Sequence, residues 1–154
     1  MQQEYSIVIA DTSCFILLSK INEIEVLHQI FSTVVTTKEI AEEFGKPLPA
    51  WVSINIVENK NYQKILETEI DKGEASALAL AMEEKKSLLI LDDLKERKFA
   101  EKLHLNYTET LGVSLKAKEK GVFKNIKPIL QKIQTSNFRF SEKGYCDILK
   151  EANE

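Results

Sequence analysis

Two apolar runs in this sequence end abruptly in acids. Ile7-Val8-Ile9-Ala10 gives way to Asp11, and Leu88-Leu89-Ile90-Leu91 gives way to Asp92-Asp93. An acid directly after a strand often does no more than cap the next helix. Two such ends in one short sheet point further, because carboxylates brought together repel and raise one another's pKa. A divalent cation removes that penalty and takes the same oxygens as ligands. Mg²⁺ prefers a few carboxylates, water and substrate phosphate oxygens to a closed protein cage. Two more acids are placed to join from helices: Glu43, in the segment after Val34-Val35, and Glu74, directly after Gly73. Glu39 and Glu42 compete with Glu43. Glu39, however, has the spacing of a capping-box residue in Thr36-Thr37-Lys38-Glu39, and Glu42 would point about 100° away from Glu43 on a helix. Taken singly, Glu74 needs no role beyond the N-terminal dipole of its own helix.

These acids are only as useful as the elements that carry them, and strand and helix signals alternate along the chain. Residues 5–10 read as a buried strand, Asp11-Thr12-Ser13 starts a helix, and Cys14 to Leu18 form an apolar helical turn. Asn22 is expected to cap a second helix with Ile24, Leu27, Ile30 and Phe31 on one face, a stripe more often used for core than for an interface. Val34-Val35 suggests a short strand, followed by a helix over Ile40 to Phe44 that Gly45 closes and a rigid loop at Pro47-Leu48-Pro49. Trp51 to Val57 alternates as a strand. Helices follow at Tyr62 to Ile70 and, after an interruption at Asp71-Lys72-Gly73, at Glu74 to Glu84. The second is rich in Ala and would sit close to a sheet. Leu88 to Leu91 has the continuous apolar character of a strand buried on both faces. Helices are expected through Phe99 and Leu103, and near 111–120, 126–134 and 142–152. The pattern predicts a single domain over residues 1–154, a three-layer α/β/α fold with a central, mainly parallel sheet.

With 154 residues, 44% hydrophobic and 29% charged, the chain can bury one substantial core and is neither disordered nor membrane-like. The net charge of -3 argues against a domain that grips nucleic acid with a broad cationic surface. Charge is uneven, however. Residues 111–154 hold nine Lys/Arg against five Asp/Glu, or +4, and residues 1–110 carry -7. Such a basic segment is usually a solvated helix face, and less often the side that meets a polyanion. Cys14 and Cys146, with only His28 and His104, make no recognisable zinc site and read as two buried reduced thiols. Polar Met1–Ser6 lacks the marks of a secretory signal, so a cytoplasmic protein is expected.

In order along the chain, these residues resemble the PIN-domain family. Ile7-Val8-Ile9-Ala10-Asp11-Thr12-Ser13 resembles its opening strand, and Ile40-Ala41-Glu42-Glu43-Phe44 the helix with the second acid. Gly73-Glu74-Ala75-Ser76-Ala77-Leu78-Ala79-Leu80-Ala81 resembles the helix start with the third acid. Leu89-Ile90-Leu91-Asp92-Asp93, with Arg97 four residues on, resembles the strand end with the fourth. Leu111-Gly112-Val113, Ala117-Lys118 and Gly121 resemble the C-terminal pattern of a prokaryotic, toxin-like subgroup. The likeness runs from about Ile7 to Leu149. It departs from the toxin-type members at Glu74, where Asp is usual.

The resemblance implies an endoribonuclease that hydrolyses phosphodiester bonds with one or two Mg²⁺ or Mn²⁺ ions. Asp11, Glu43, Glu74 and Asp92 or Asp93 would hold the metal, and Thr12, Ser13 and Arg97 would contact substrate or orient an acid. Arg97 is more readily a structural ion pair with the Asp92-Asp93 carboxylates. Single-stranded or looped RNA is the expected substrate, an antitoxin the partner of a toxin, and a homodimer the assembly suggested by small family members. Two other readings compete. One is a PIN-like binding or regulatory module that does not turn over RNA. The other is a receiver or phosphatase domain, which Asp11-Thr12-Ser13-Cys14 fits poorly because it is not DxDx[TV].

Overall fold

The computed structural model describes Tyr5, residues 7–136, Phe138 and residues 141–154. Met1–Glu4, Ser6 of the expected first strand and Arg139 of the basic segment lie outside the described residues. Among the described residues, five strands form one sheet in which every pairing is parallel: β1 (Ile7–Ala10), β2 (Val34–Thr37), β3 (Val52–Asn55), β4 (Ser87–Ile90) and β5 (Tyr107–Thr108). Their spatial order is β3-β2-β1-β4-β5. Parallel neighbours need crossover connections, and helices supply them. These are α1 (Thr12–Lys20), α2 (Val26–Ile30), α3 (Lys38–Phe44), α4 (Lys60–Leu66), α5 (Lys72–Glu83), α6 (Leu94–Lys102), α7 (Thr110–Glu119), α8 (Lys127–Thr135) and α9 (Glu142–Glu151). The result is a three-layer α/β/α fold.

β1 and β4 are buried because helices cover both faces, which is why their sequences are apolar without alternation. α5 buries Ala75, Ala77, Ala79 and Ala81 together with Leu78 and Leu80, so the helix packs closely on the sheet with little side-chain bulk between. The stripe of Leu27, Ile30 and Phe31 is core, with Ile24 packed against it.

Several local expectations shift. Asn22 does not cap α2. It takes a left-handed conformation (φ 58°), which Asn tolerates, and α2 starts after Glu25 with no side-chain cap. The cap of α3 is Thr37, whose hydroxyl accepts from Ile40 N at 3.2 Å, while the Thr36 hydroxyl donates to the Ala10 carbonyl at 3.1 Å. Glu39 is therefore not a capping-box partner; its carboxylate accepts from Gln63 Nε2 at 2.6 Å. Asp71 caps α5 instead of interrupting a helix. Gly45 does close α3, at φ 70°. β5 was not foreseen. Cys14 is buried as expected, but Cys146 is exposed.

Candidate functional site

The chain moves outward from β1 to β2 and β3, then crosses back to β4 and β5 on the other side. The first strand and β4 are thus neighbours whose connections leave in opposite directions, with Ala10 level with Ile90. Such a switch point opens a crevice at the carboxyl ends of the strands. Asp11 and Asp92-Asp93 sit there because they follow those two strands directly.

Asp11 is the N-cap of α1. Its Oδ1 accepts from Thr12 N at 2.7 Å, and the side chain is buried. Burial pushes its pKa up to about 6, opposed by bonding to Glu96 and Thr12 N and reinforced by the charges of Asp71 and Glu43. Glu74 lies in the first turn of α5, where its N–H donates to Asp71 Oδ1 at 2.8 Å. Burial first, then the Asp71 carboxyl, raises it to about 7. Glu43 is on the exposed side of α3 and reaches across to α5. Its carboxylate occupies the place a Cβ at Gly73 would take, so only glycine there lets it lie over the α5 N-terminus. Partial burial and the Asp71 charge raise Glu43, while the Thr12 hydroxyl facing it pulls the other way. Asp11, Glu43 and Glu74 therefore share one electrostatic neighbourhood.

The strand-end pair divides its tasks. Asp92 accepts from Thr110 N at 2.9 Å, Thr110 Oγ1 at 2.6 Å and Ser13 Oγ at 3.4 Å, which ties β4 to the starts of α7 and α1. Asp93 is the exposed N-cap of α6, accepts from Glu96 N at 3.0 Å, and its charge acts on Glu74. Arg97 does not pair with either carboxylate. Its guanidinium forms an ion pair with Glu109, and its Nε donates to the Asp93 carbonyl at 3.4 Å. Cys14, beneath the site, is held as a neutral thiol by burial and then by the Asp92 charge.

Two acids of this neighbourhood escaped the sequence reading. Asp71 was legible as the first residue of a D-x-x-E cap before an Ala-rich helix. Glu96 is wholly buried and faces Asp11 and Glu74, and its pKa is raised further than theirs, first by burial and then by the Asp11 charge. Neither of its oxygens, nor the buried Thr12 hydroxyl, has a hydrogen-bond partner of normal geometry among the described residues. A buried carboxyl surrounded by carboxyls needs a shared proton or a shared cation. An all-oxygen, all-carboxyl donor set fits a hard divalent cation such as Mg²⁺ or Mn²⁺. The ligands are not preassembled: among the described residues no three His, Cys, Asp or Glu side chains already stand in metal-ligating geometry.

A groove of about 510 Å³ between α3, α4 and the start of α5 reaches Lys72, next to Gly73, and mixes Lys38, Lys60 and Lys64 with Glu39, Glu42 and Glu67. Among the described residues no helix is long and apolar enough to cross a membrane.

No curated protein and no solved structure matches the chain. A family model described as a PIN domain matches residues 7–154, nearly the whole sequence. The chain belongs to the PIN-domain family.

Proposed function

We propose that the protein is a metal-dependent endoribonuclease that hydrolyses phosphodiester bonds in single-stranded or looped RNA. The observation that carries this reading is the meeting of Asp11, Glu43, Glu74 and Glu96, from four separate segments, at the switch point of a parallel sheet. Asp11, Glu43, Glu74 and Asp93 are the acids that would hold the metal, with Asp92 orienting through Ser13 and Thr110. When bound, Mg²⁺ or Mn²⁺ supplies the Lewis acidity that activates water and stabilises the departing 3′-oxygen. The chain's own part is to hold the reacting groups. Thr12 N fixes one Asp11 oxygen, and the Glu96 carboxyl meets the same side chain. The buried Thr12 hydroxyl faces Glu43 and would orient that carboxylate. Lys60, Lys64 and Lys72, which share the neighbouring groove with Glu39, Glu42 and Glu67, would offer an RNA backbone a few cationic contacts beside the acids without a broad cationic surface. A role as the toxin of a toxin–antitoxin pair is the finer form of the proposal, supported by the likeness of the 111–121 segment to the toxin-like subgroup.

The test is cleavage of a mixed RNA panel in Mg²⁺ or Mn²⁺ by wild type and by Asp11→Asn. The expected loss in the variant is on the order of 100-fold. Equal cleavage by both would identify a contaminant. A wild type that cuts no RNA would instead favour the binding module.

A further inference from the structure

Glu96 has no place in the four-acid pattern of the family resemblance, yet it is the most completely buried carboxyl of the site. It stands in the first turn of α6, a nine-residue helix, with its backbone N–H fixed by Asp93 Oδ1 at 3.0 Å. Its side chain is buried beside Asp11 and Glu74. Glutamate is almost never fully buried without a partner, yet among the described residues no N–H or hydroxyl donates to Oε1 or Oε2; only other carboxyls, Asp11 and Glu74, face them. The contrast with Asp92 sharpens this. Asp92 comes from the same corner, but Thr110 and Ser13 already satisfy its oxygens. Helix N-termini favour anionic side chains, so the first turn of α6 suits a carboxylate there.

Resting on the metal-dependent reading above, we infer that Glu96 is a metal ligand, the carboxylate that the β4–α6 corner delivers to a divalent cation shared with Asp11 and Glu74. The competing explanation is a carboxylic acid whose proton bridges to Asp11. The two make opposite demands on Glu96→Gln. A glutamine N–H can replace the bridging proton, but the uncharged amide is a poor ligand for a hard cation.

Mn²⁺ binding to wild type and Glu96→Gln, followed by the loss of the free-ion electron paramagnetic resonance signal, separates them. Circular dichroism and metal-free melting confirm that each protein is folded. The Kd of folded Glu96→Gln is expected to rise at least about tenfold, since even outer-shell partners of metal ligands cost that much. An unchanged Kd in the folded variant overturns the assignment. If the variant does not fold, a wild-type crystal soaked in Mn²⁺ decides. An anomalous peak at about 2.2 Å from a Glu96 oxygen upholds it. A peak on the other acids with Glu96 out of contact overturns it. Wild type that binds no Mn²⁺ at all sinks the metal-dependent reading itself, an outcome distinct from a variant that merely binds as well as wild type.

Discussion

Gly73 has no side chain, and the Glu43 carboxylate uses the space. The glycine is in the first turn of α5 with ordinary helical backbone, so alanine is tolerated there and gains up to about 1 kcal/mol of helix propensity. The added methyl meets only the far end of a flexible side chain, which must move off the α5 N-terminus. Gly73→Ala should therefore melt at or slightly above the wild-type temperature yet bind Mn²⁺ on the order of tenfold more weakly. Unchanged affinity in titration would remove Glu43 from the metal set. At this scale the sequence was an uneven guide. Asp11 was legible because an acid after a buried strand has few places to go. Glu96 was not, because Lys95-Glu96-Arg97-Lys98 has the look of a solvated face. Only the turn of α6 shows that one of those four charges points inward.

The N-cap position of helix α7 is Glu109, which makes no side-chain cap of its own. Asp92 does that work from a distance, holding Thr110 by N–H and hydroxyl together and so pinning α7 and β5 to the end of β4. Removing it leaves the α7 N-terminus uncapped and the Thr110 hydroxyl unbonded. Asp92→Ala should cost about 2 kcal/mol. For a domain of this size that lowers the melting temperature by roughly 4–8 °C, measurable by calorimetry. Asp92→Asn, which keeps an acceptor for Thr110, should lose clearly less; equal losses would show that charge rather than capping is at stake. The strands β1 and β4 were readable from uninterrupted apolar residues. The β5 strand was not, since two residues are too few to show any period and exist as a strand only by pairing with β4. The one-residue shift of the α3 cap has a similar cause. Thr36 and Thr37 are equivalent as local signals, and the choice falls to the Ala10 carbonyl, which takes Thr36.

Across the whole molecule, the architecture followed from the alternation of strand and helix, and the position of the site followed from the strand order, which only the folded chain displays. The gathering of acids also sets the protein's response to pH. In the metal-free state Asp11 is raised to about 6 and Glu74 to about 7, against about 4 when unfolded. Between those values the folded state binds more protons than the unfolded one. Their contribution to stability is thus full below about pH 4 and is lost as pH rises through 6 and 7. Metal-free wild type should melt lower at pH 8 than at pH 5.5, and Asp11→Asn, which keeps the α1 cap, should narrow that gap. A gap of undiminished size would place the pH response elsewhere. The acids involved come from residues 11, 43, 74 and 96, so the set is complete only after almost two-thirds of the chain has been made. A nascent chain that stops short of β4 can pair β1 with β2 and β2 with β3, but it lacks both β4 and Glu96. Neither the crowding of negative charge nor the chemistry it serves exists during most of synthesis; both arrive together, late, with the closing of the sheet.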